Sequence, residues 1–190
     1  MIRAFVALPL PDMLCQRLML VQSLLPLPRP ATRPVPPENL HLTLAFVGEH
    51  PGPVLEDLHH ALDDLRAPAF DLTLRGLEAF GGRMPRSVHA GVTPCAALER
   101  LQRKVLRALE TVGIVPERRR FTPHVTLARL DWRRLADPDR ARLQQAVADH
   151  HGFRAGPAWI EAFALFRSQL GREGAHYDEL ARYALSPATD

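Results

Sequence analysis

Lysine is almost missing from this chain. Of 24 basic residues, only Lys104 is lysine. Arginine presents a planar fork that suits phosphate and stacks on bases, but a GC-rich genome produces the same bias, so the bias excludes little. The net charge is only +3 with a sequence pI of 9.4, which is weak evidence for a nucleic-acid partner. Cysteine is scarce as well. Cys15 and Cys95 make no disulfide framework, and both are expected as buried free thiols in helices, which fits a reducing compartment. No apolar run approaches the roughly 20 residues of a membrane span. The opening Met1-Ile-Arg-Ala-Phe-Val-Ala-Leu-Pro9 is too short an apolar run for a signal peptide. A cytoplasmic soluble protein is the expectation. There is no Gly-x-Ser-x-Gly elbow, no Gly-x-x-x-x-Gly-Lys phosphate loop and no Gly-x-Gly-x-x-Gly after a strand. A serine-elbow hydrolase, a P-loop enzyme and a dinucleotide-binding enzyme therefore lack their signatures.

What the chain does have is one word written twice. His41-Leu-Thr43-Leu-Ala45 returns as His124-Val-Thr126-Leu-Ala128, with the histidines 83 residues apart. On a strand, side chains two apart share a face. Each copy would therefore raise an imidazole and a hydroxyl side by side, over a buried Leu or Val. Two such strands brought together set two imidazoles and two hydroxyls around one small volume.

The elements around these strands repeat in order. Strand 2–8 leads to a helix over 13–24 capped by Asp12. Prolines fill the connector at 25–37, which is expected to run extended over the surface and to form neither helix nor central strand. The first motif strand ends near Gly48, a helix follows from Pro51 to about Arg66, and a strand occupies 70–80 up to the Gly81-Gly82 turn. A strand over 87–93 holds His89, and a helix covers 95–112. A charged loop at 117–120 precedes the second motif strand. Asp137-Pro138 caps and opens a helix to about His150. A strand at 158–167, a loop at 171–174 and a strand at 180–185 close the chain. His59, His60, His150 and His151 are expected on the surface. Phe46 and Phe121 can stack on a base, but core packing is expected for both.

The implied fold is α+β: two pseudo-symmetric lobes, each a sheet with helices on its outer face and a groove between them. All 190 residues form one bilobal domain, an internal duplication of about 1–83 and about 87–190.

The chemistry follows from histidine. Its pKa near 6.5 lets one imidazole be neutral while its neighbour is protonated. Two of them facing one substrate serve as base and acid in an in-line displacement at phosphorus, with threonine hydroxyls donating to the non-bridging oxygens. Arg129 can add a charge-assisted bond. Position i+5 of a regular strand faces away from position i, however, so Arg129 reaches the site only if its strand bulges or ends. A catalytic metal is the rival. His-x-Thr supplies one ligand per copy, and no Asp, Glu or Cys stands beside either.

These residues resemble the 2H phosphoesterase superfamily, and within it the RNA 2′,3′-cyclic phosphodiesterases, also called 2′-5′ RNA ligases. The resemblance runs from Arg3-Ala-Phe5-Val-Ala7, through Pro36-Pro-Glu-Asn-Leu-His41-Leu-Thr43-Leu44 and Phe121-Thr-Pro-His124-Val-Thr126-Leu-Ala-Arg129, to Ser168-Gln-Leu-Gly171 and the hairpin at 177–185. It implies opening of a terminal RNA 2′,3′-cyclic phosphate to a 2′-phosphate, with no metal and no cofactor, and the reverse 2′-5′ joining. It implies His41 as proton donor to the leaving 3′ oxygen and His124 as proton acceptor from water, with Thr43, Thr126 and Arg129 holding the phosphate. The implied partner is an RNA end, including tRNA fragments or small cyclic nucleotides, with no membrane or protein partner. Two alternatives stand beside this: an RNA-end-binding or ligase-like factor, and a phosphodiesterase of small cyclic nucleotides.

Overall fold

A computed structural model of the chain describes residues 1–117, 120–171 and 174–187. In order they form β1 (Ile2–Pro9), α1 (Asp12–Ser23), β2 (Thr32–Pro34), β3 (His41–His50), α2 (Gly52–Asp63), β4 (Phe70–Phe80) and β5 (Ser87–Val92). Then follow α3 (Ala96–Thr111), β6 (His124–Leu130), α4 (Asp137–Asp149), β7 (Arg154–Ile160), β8 (Ala162–Gly171) and β9 (Gly174–Ala184). The order β-α-β-α-β therefore occurs twice, with β2 inserted in the first round and the β8–β9 hairpin added at the end.

The helices form because their apolar residues fall on one stripe. Leu14, Leu18 and Val21 of α1 are buried, as are Leu55, Leu58 and Leu62 of α2. In α3 the buried row is Leu98, Leu101, Val105 and Leu109. These i, i+3/i+4, i+7 spacings make each helix an apolar-faced cover for a sheet. The cover crosses over: α1 rests on β6 and β7, whereas α3 rests on β3 and on α2. One apolar cluster joins all four helices to the strands.

The sheet is a single path, β7-β4-β5-β6-β3-β1-β8-β9, with β2 added beside β6. The two expected sheets are thus two halves of one. Their join is narrow: β3 and β6 pair antiparallel at Leu42↔Val125. Both residues are fully buried, at 0% exposure, and belong to the cluster beneath the sheet. The halves of the sheet do not coincide with the halves of the chain. β4 lies beside β5, and the β8–β9 hairpin lies beside β1.

Several expectations change. Asp12 and Asp137 do not cap their helices; Pro11 and Ala136 hold the cap positions, and neither helix has a side-chain cap bond. The expected strand at 158–167 is two strands broken at Glu161, because β7 pairs with β4 and β8 pairs with β1, on opposite halves of the sheet. The final strand begins earlier, since β9 pairs with β8 along its whole length. Cys95 precedes α3, and both thiols are only half-buried. His59 is half-buried too, with Nδ1 bonded to Tyr183 Oη at 3.1 Å. The charged loop at 117–120 and the loop at 171–174 lie partly outside the described residues.

The connector departs most. Ala31 and Thr32 are buried, and Thr32–Pro34 pairs with Ala128–Leu130 of β6. Its prolines are tolerated because it adds to the flank of β6 as a short strand, where one missing N–H breaks little. Val35 N–H and Gln22 Nε2 both donate to the carbonyl of Leu127, at 2.8 and 2.7 Å. The connector and α1 together clamp β6 at Leu127.

That clamp sits at a β-bulge. Between β5 and β6, Thr126 pairs with His89 and Ala128 with Val88, so Leu127 is an extra residue. Between β1 and β3, Thr43 pairs with Ala7 and Ala45 with Val6, so Leu44 is extra in the same way. The burial agrees: Leu44 and Ala45 both turn inward, as do Leu127 and Ala128. Each bulge shifts the alternation by one residue. Past it, Phe46 and Arg129 come up on the face that carries the histidines. The bulge that Arg129 required is present, and Phe46 occupies the matching place in the other motif.

If the Leu42–Val125 join carries the sheet, Leu42→Ala should destabilise the fold by about 2–5 kcal/mol. Denaturant unfolding checks this; a loss below about 1 kcal/mol would mean the halves are held together elsewhere.

Candidate active site

Continued one residue each way, the Leu42↔Val125 register sets His41 opposite Thr126 and Thr43 opposite His124. With Leu42 and Val125 pointing into the core, these four side chains lie on the other face. All four are half-buried, as groups lining a groove should be. The four residues expected to form the site are therefore brought together.

Both imidazoles are held alike. His41 Nδ1 is 2.7 Å from the carbonyl of Asn39, and His124 Nδ1 is 2.7 Å from the carbonyl of Thr122. A carbonyl only accepts, so Nδ1 carries the hydrogen in each ring. Nε2 is then left for the groove: a bare lone pair when the ring is neutral, an N–H donor when it is charged. One geometry thus prepares either ring as base or acid. Asn39 is itself tied down, its Nδ2 donating to the carbonyl of Ala175 in β9 at 2.7 Å. Thr122 is exposed.

Aromatic rings pack round each histidine. His41 lies 4.9 Å from Phe5 and 5.2 Å, edge-on, from Tyr177, and Phe5 stacks on Phe166 at 5.3 Å. His124 lies 5.1 Å from Phe80 and 4.4 Å from His89. Burial pushes the His41 pKa down against the opposing pull of the Asn39 carbonyl, and the charges of Arg129 and His124 push it further. Arg129 thus acts on the site electrostatically, although its side chain is exposed.

His89 is a third imidazole at this centre. It is 3% exposed, and among the described residues neither ring nitrogen has a hydrogen-bond partner. It is wedged 3.8 Å from the Phe80 ring and against His124. Burial, then the neighbouring charges of His124 and Arg129, push its pKa down to about 3. It therefore stays neutral beside His124 at any physiological pH.

Sequence alone does not single out His89, Asn39 or Tyr177. His89 has no motif; its place follows from pairing with Thr126 across the bulge. Phe46 was expected in the core and is instead 61% exposed, a consequence of the Leu44 bulge. Phe121 is half-buried against the core, as expected. Among the described residues no three His, Cys, Asp or Glu side chains gather as a metal-ligand set. No helix among them is long and apolar enough to cross a membrane.

A single antiparallel sheet, helices packed against it, and a His-x-Thr pair raised on each of two central strands is the architecture of the 2H phosphoesterases. The chain belongs to the 2′-5′ RNA ligase superfamily, whose family model matches residues 10–172. It is 37% identical over 145 residues to an RNA 2′,3′-cyclic phosphodiesterase of Aeropyrum pernix, covering 75% of this chain and 80% of that one. Among solved structures, a Thermus thermophilus protein superposes with a TM-score of 0.79 at 28% identity, covering 98% of this chain and all of that one. Escherichia coli LigT, solved with 3′-AMP, superposes with a TM-score of 0.77 at 28% identity over 97% and 98% of the two chains. The chain is an enzyme, a hydrolase.

Because folding strips His89 of its proton affinity, the unfolded chain binds one more proton than the folded one between pH 6.5 and about 3. Stability contributed by the neutral ring is present above pH 6.5 and is lost as pH falls through that window, by up to about 1.4 kcal/mol per pH unit. His89→Phe should flatten the acid limb of unfolding free energy against pH by up to one proton; parallel wild-type and variant curves would refute this.

Proposed function

We propose that this enzyme opens the terminal 2′,3′-cyclic phosphate of RNA to a 2′-phosphomonoester, using His41 and His124 as an acid–base pair. The observation that carries the reading is the matched pair of carbonyl-held imidazoles across the Leu42–Val125 join. Water attacks phosphorus while His124 Nε2 takes its proton. The bond from phosphorus to the 3′ oxygen breaks, and His41 Nε2–H protonates that oxygen. The product carries a 2′-phosphate and a free 3′-hydroxyl, and proton exchange with solvent resets both rings. Thr43 and Thr126 donate to the non-bridging oxygens, and Arg129 balances their charge. The phosphate anion in turn favours the proton on His41, whose burial otherwise disfavours it.

The donor and acceptor roles rest on resemblance, since the two rings are anchored identically. The substrate reading draws on the names of the relatives and on LigT having been solved with 3′-AMP. The same groups run in reverse would join 2′-5′ ends. We read the repeated β-α-β-α-β order and the paired bulges as two copies of one unit, about 1–83 and about 87–190, fused in one domain. The free thiols Cys15 and Cys95 fit a cytoplasmic setting.

The test is turnover, in EDTA, of a short RNA ending in 2′,3′-cyclic phosphate. A 2′-phosphate product is expected, with turnover reduced roughly 10²–10⁴-fold in both His41→Ala and His124→Ala. Activity only after adding a divalent ion, or near-wild-type rates in either variant, would overturn the mechanism. Faster turnover of a cyclic mononucleotide than of the oligonucleotide would move the substrate to small cyclic nucleotides.

A further inference from the structure

Arg75 of β4 and Arg154 of β7 stand directly opposite each other. Like charges in that position repel. Both residues are exposed, and among the described residues neither guanidinium has a hydrogen bond or an ion pair. Arginines elsewhere at the sheet are neutralised: in the closing hairpin Arg167 is tied to Asp178, and Arg182 to Glu179.

The unpaired couple is in line with the site. His124 pairs with Gly91, Gly91 with Arg75, and Arg75 with Arg154, in one row across β6, β5, β4 and β7. Residues directly opposite on antiparallel strands share a face. The burial agrees: Ala90, Leu74 and Ala155 lie in the core, so their neighbours Gly91, Arg75 and Arg154 turn to the other face, with His124. Gly91 has no side chain, so the row itself raises nothing between His124 and Arg75. At roughly 4.8 Å per strand, Arg75 lies about 10 Å from His124 and Arg154 about 14 Å. One carboxylate shares this face. Glu78 Oε1 is 4.0 Å from where a Cβ on Gly91 would stand, and Glu78 makes no ion pair with either arginine.

We infer that Arg75 and Arg154 form a subsite for the backbone phosphates that precede the cyclic phosphate, so that the enzyme grips an RNA strand and not only its last nucleotide. This rests on the substrate reading above. A strand whose end sits between the histidines must leave the centre across the sheet. Along this row it meets a gap over Gly91 and then two guanidinium forks, which suit phosphate. A phosphate there relieves the repulsion between the arginines. Glu78 repels a phosphate over Gly91 and leaves the arginines beyond as the stopping place. Phosphate contacts position a strand without reading its bases, so the subsite sets a preference for length and not for sequence.

The experiment is calorimetric titration over a range of salt concentrations with two ligands. One is adenosine 2′-monophosphate; the other is a trinucleotide ending in the same adenosine 2′-phosphate, which adds two upstream phosphates. The wild type should bind the trinucleotide more tightly. Its slope of log affinity against log salt should be steeper by about 1.4, at roughly 0.7 per phosphate of a single strand. Arg75→Ala and Arg154→Ala should each remove about half of that excess, and the double variant all of it. Arg103→Ala deletes the same charge from the exposed side of α3, away from the row, and should keep the excess. The exposed side chains leave the fold intact in each variant, which circular dichroism checks. A trinucleotide bound no more tightly than the monophosphate, an excess that survives the double variant, or an equal loss in Arg103→Ala would overturn the inference. Turnover of cyclic phosphate without this length dependence keeps the proposed function and loses the subsite. Arginine-dependent binding of the trinucleotide without cyclic-phosphate turnover does the reverse.

Discussion

One backbone pairing carries both the fold and the site. At Leu42↔Val125 the two halves of the sheet meet, and on the opposite face of that same pair the two imidazoles and two hydroxyls converge. The buried side chains contribute on the order of 1.5–3 kcal/mol each from burial, so the apolar core beneath fixes the spacing of the two His–Thr pairs above. A slip of one residue would send every motif side chain to the wrong face. The register is therefore set by the same burial that stabilises the protein, and the site needs no separate scaffold.

Two further devices refine what the pairing begins. The carbonyls two residues before each histidine select the tautomer that frees Nε2. The bulges at Leu44 and Leu127 bring a fifth and sixth side chain, Phe46 and Arg129, onto a face that regular strands would deny them. The second bulge is braced by Gln22 and Val35 through the Leu127 carbonyl. The proline-rich connector thus has structural work beside the second motif although it contributes none of the His–Thr side chains. The neutral His89 packs against His124 without adding a charge that would compete for its proton.

Much of this was legible from residues alone. The period-2 alternation of His41-Leu-Thr43 and His124-Val-Thr126 marks strands whose polar side chains share a face, and the leucine spacing of α2 and α3 marks helices. Those signals are local. What depended on distant pairing was hidden. Leu-Ala in each motif reads as an ordinary apolar step, and only the partner strands reveal that both residues turn inward. The break at Glu161 follows from β7 and β8 pairing on opposite halves of the sheet, which no local pattern encodes. The short strand at Thr32–Pro34 was masked by its prolines, and His89 by its lack of a motif. Asn39 looks like a turn residue until its side chain meets the carbonyl of Ala175.

In the proposed reaction His41 and His124 act as one unit on one phosphate. The direct measurement is a double-mutant cycle: turnover of cyclic-phosphate RNA by His41→Ala, His124→Ala and the double variant. Residues that act together are strongly non-additive. If each ring is of little use without the other, the double variant should be no slower than the slower single one. A double variant slowed by the product of the two single effects would show two independent contributions and contradict it.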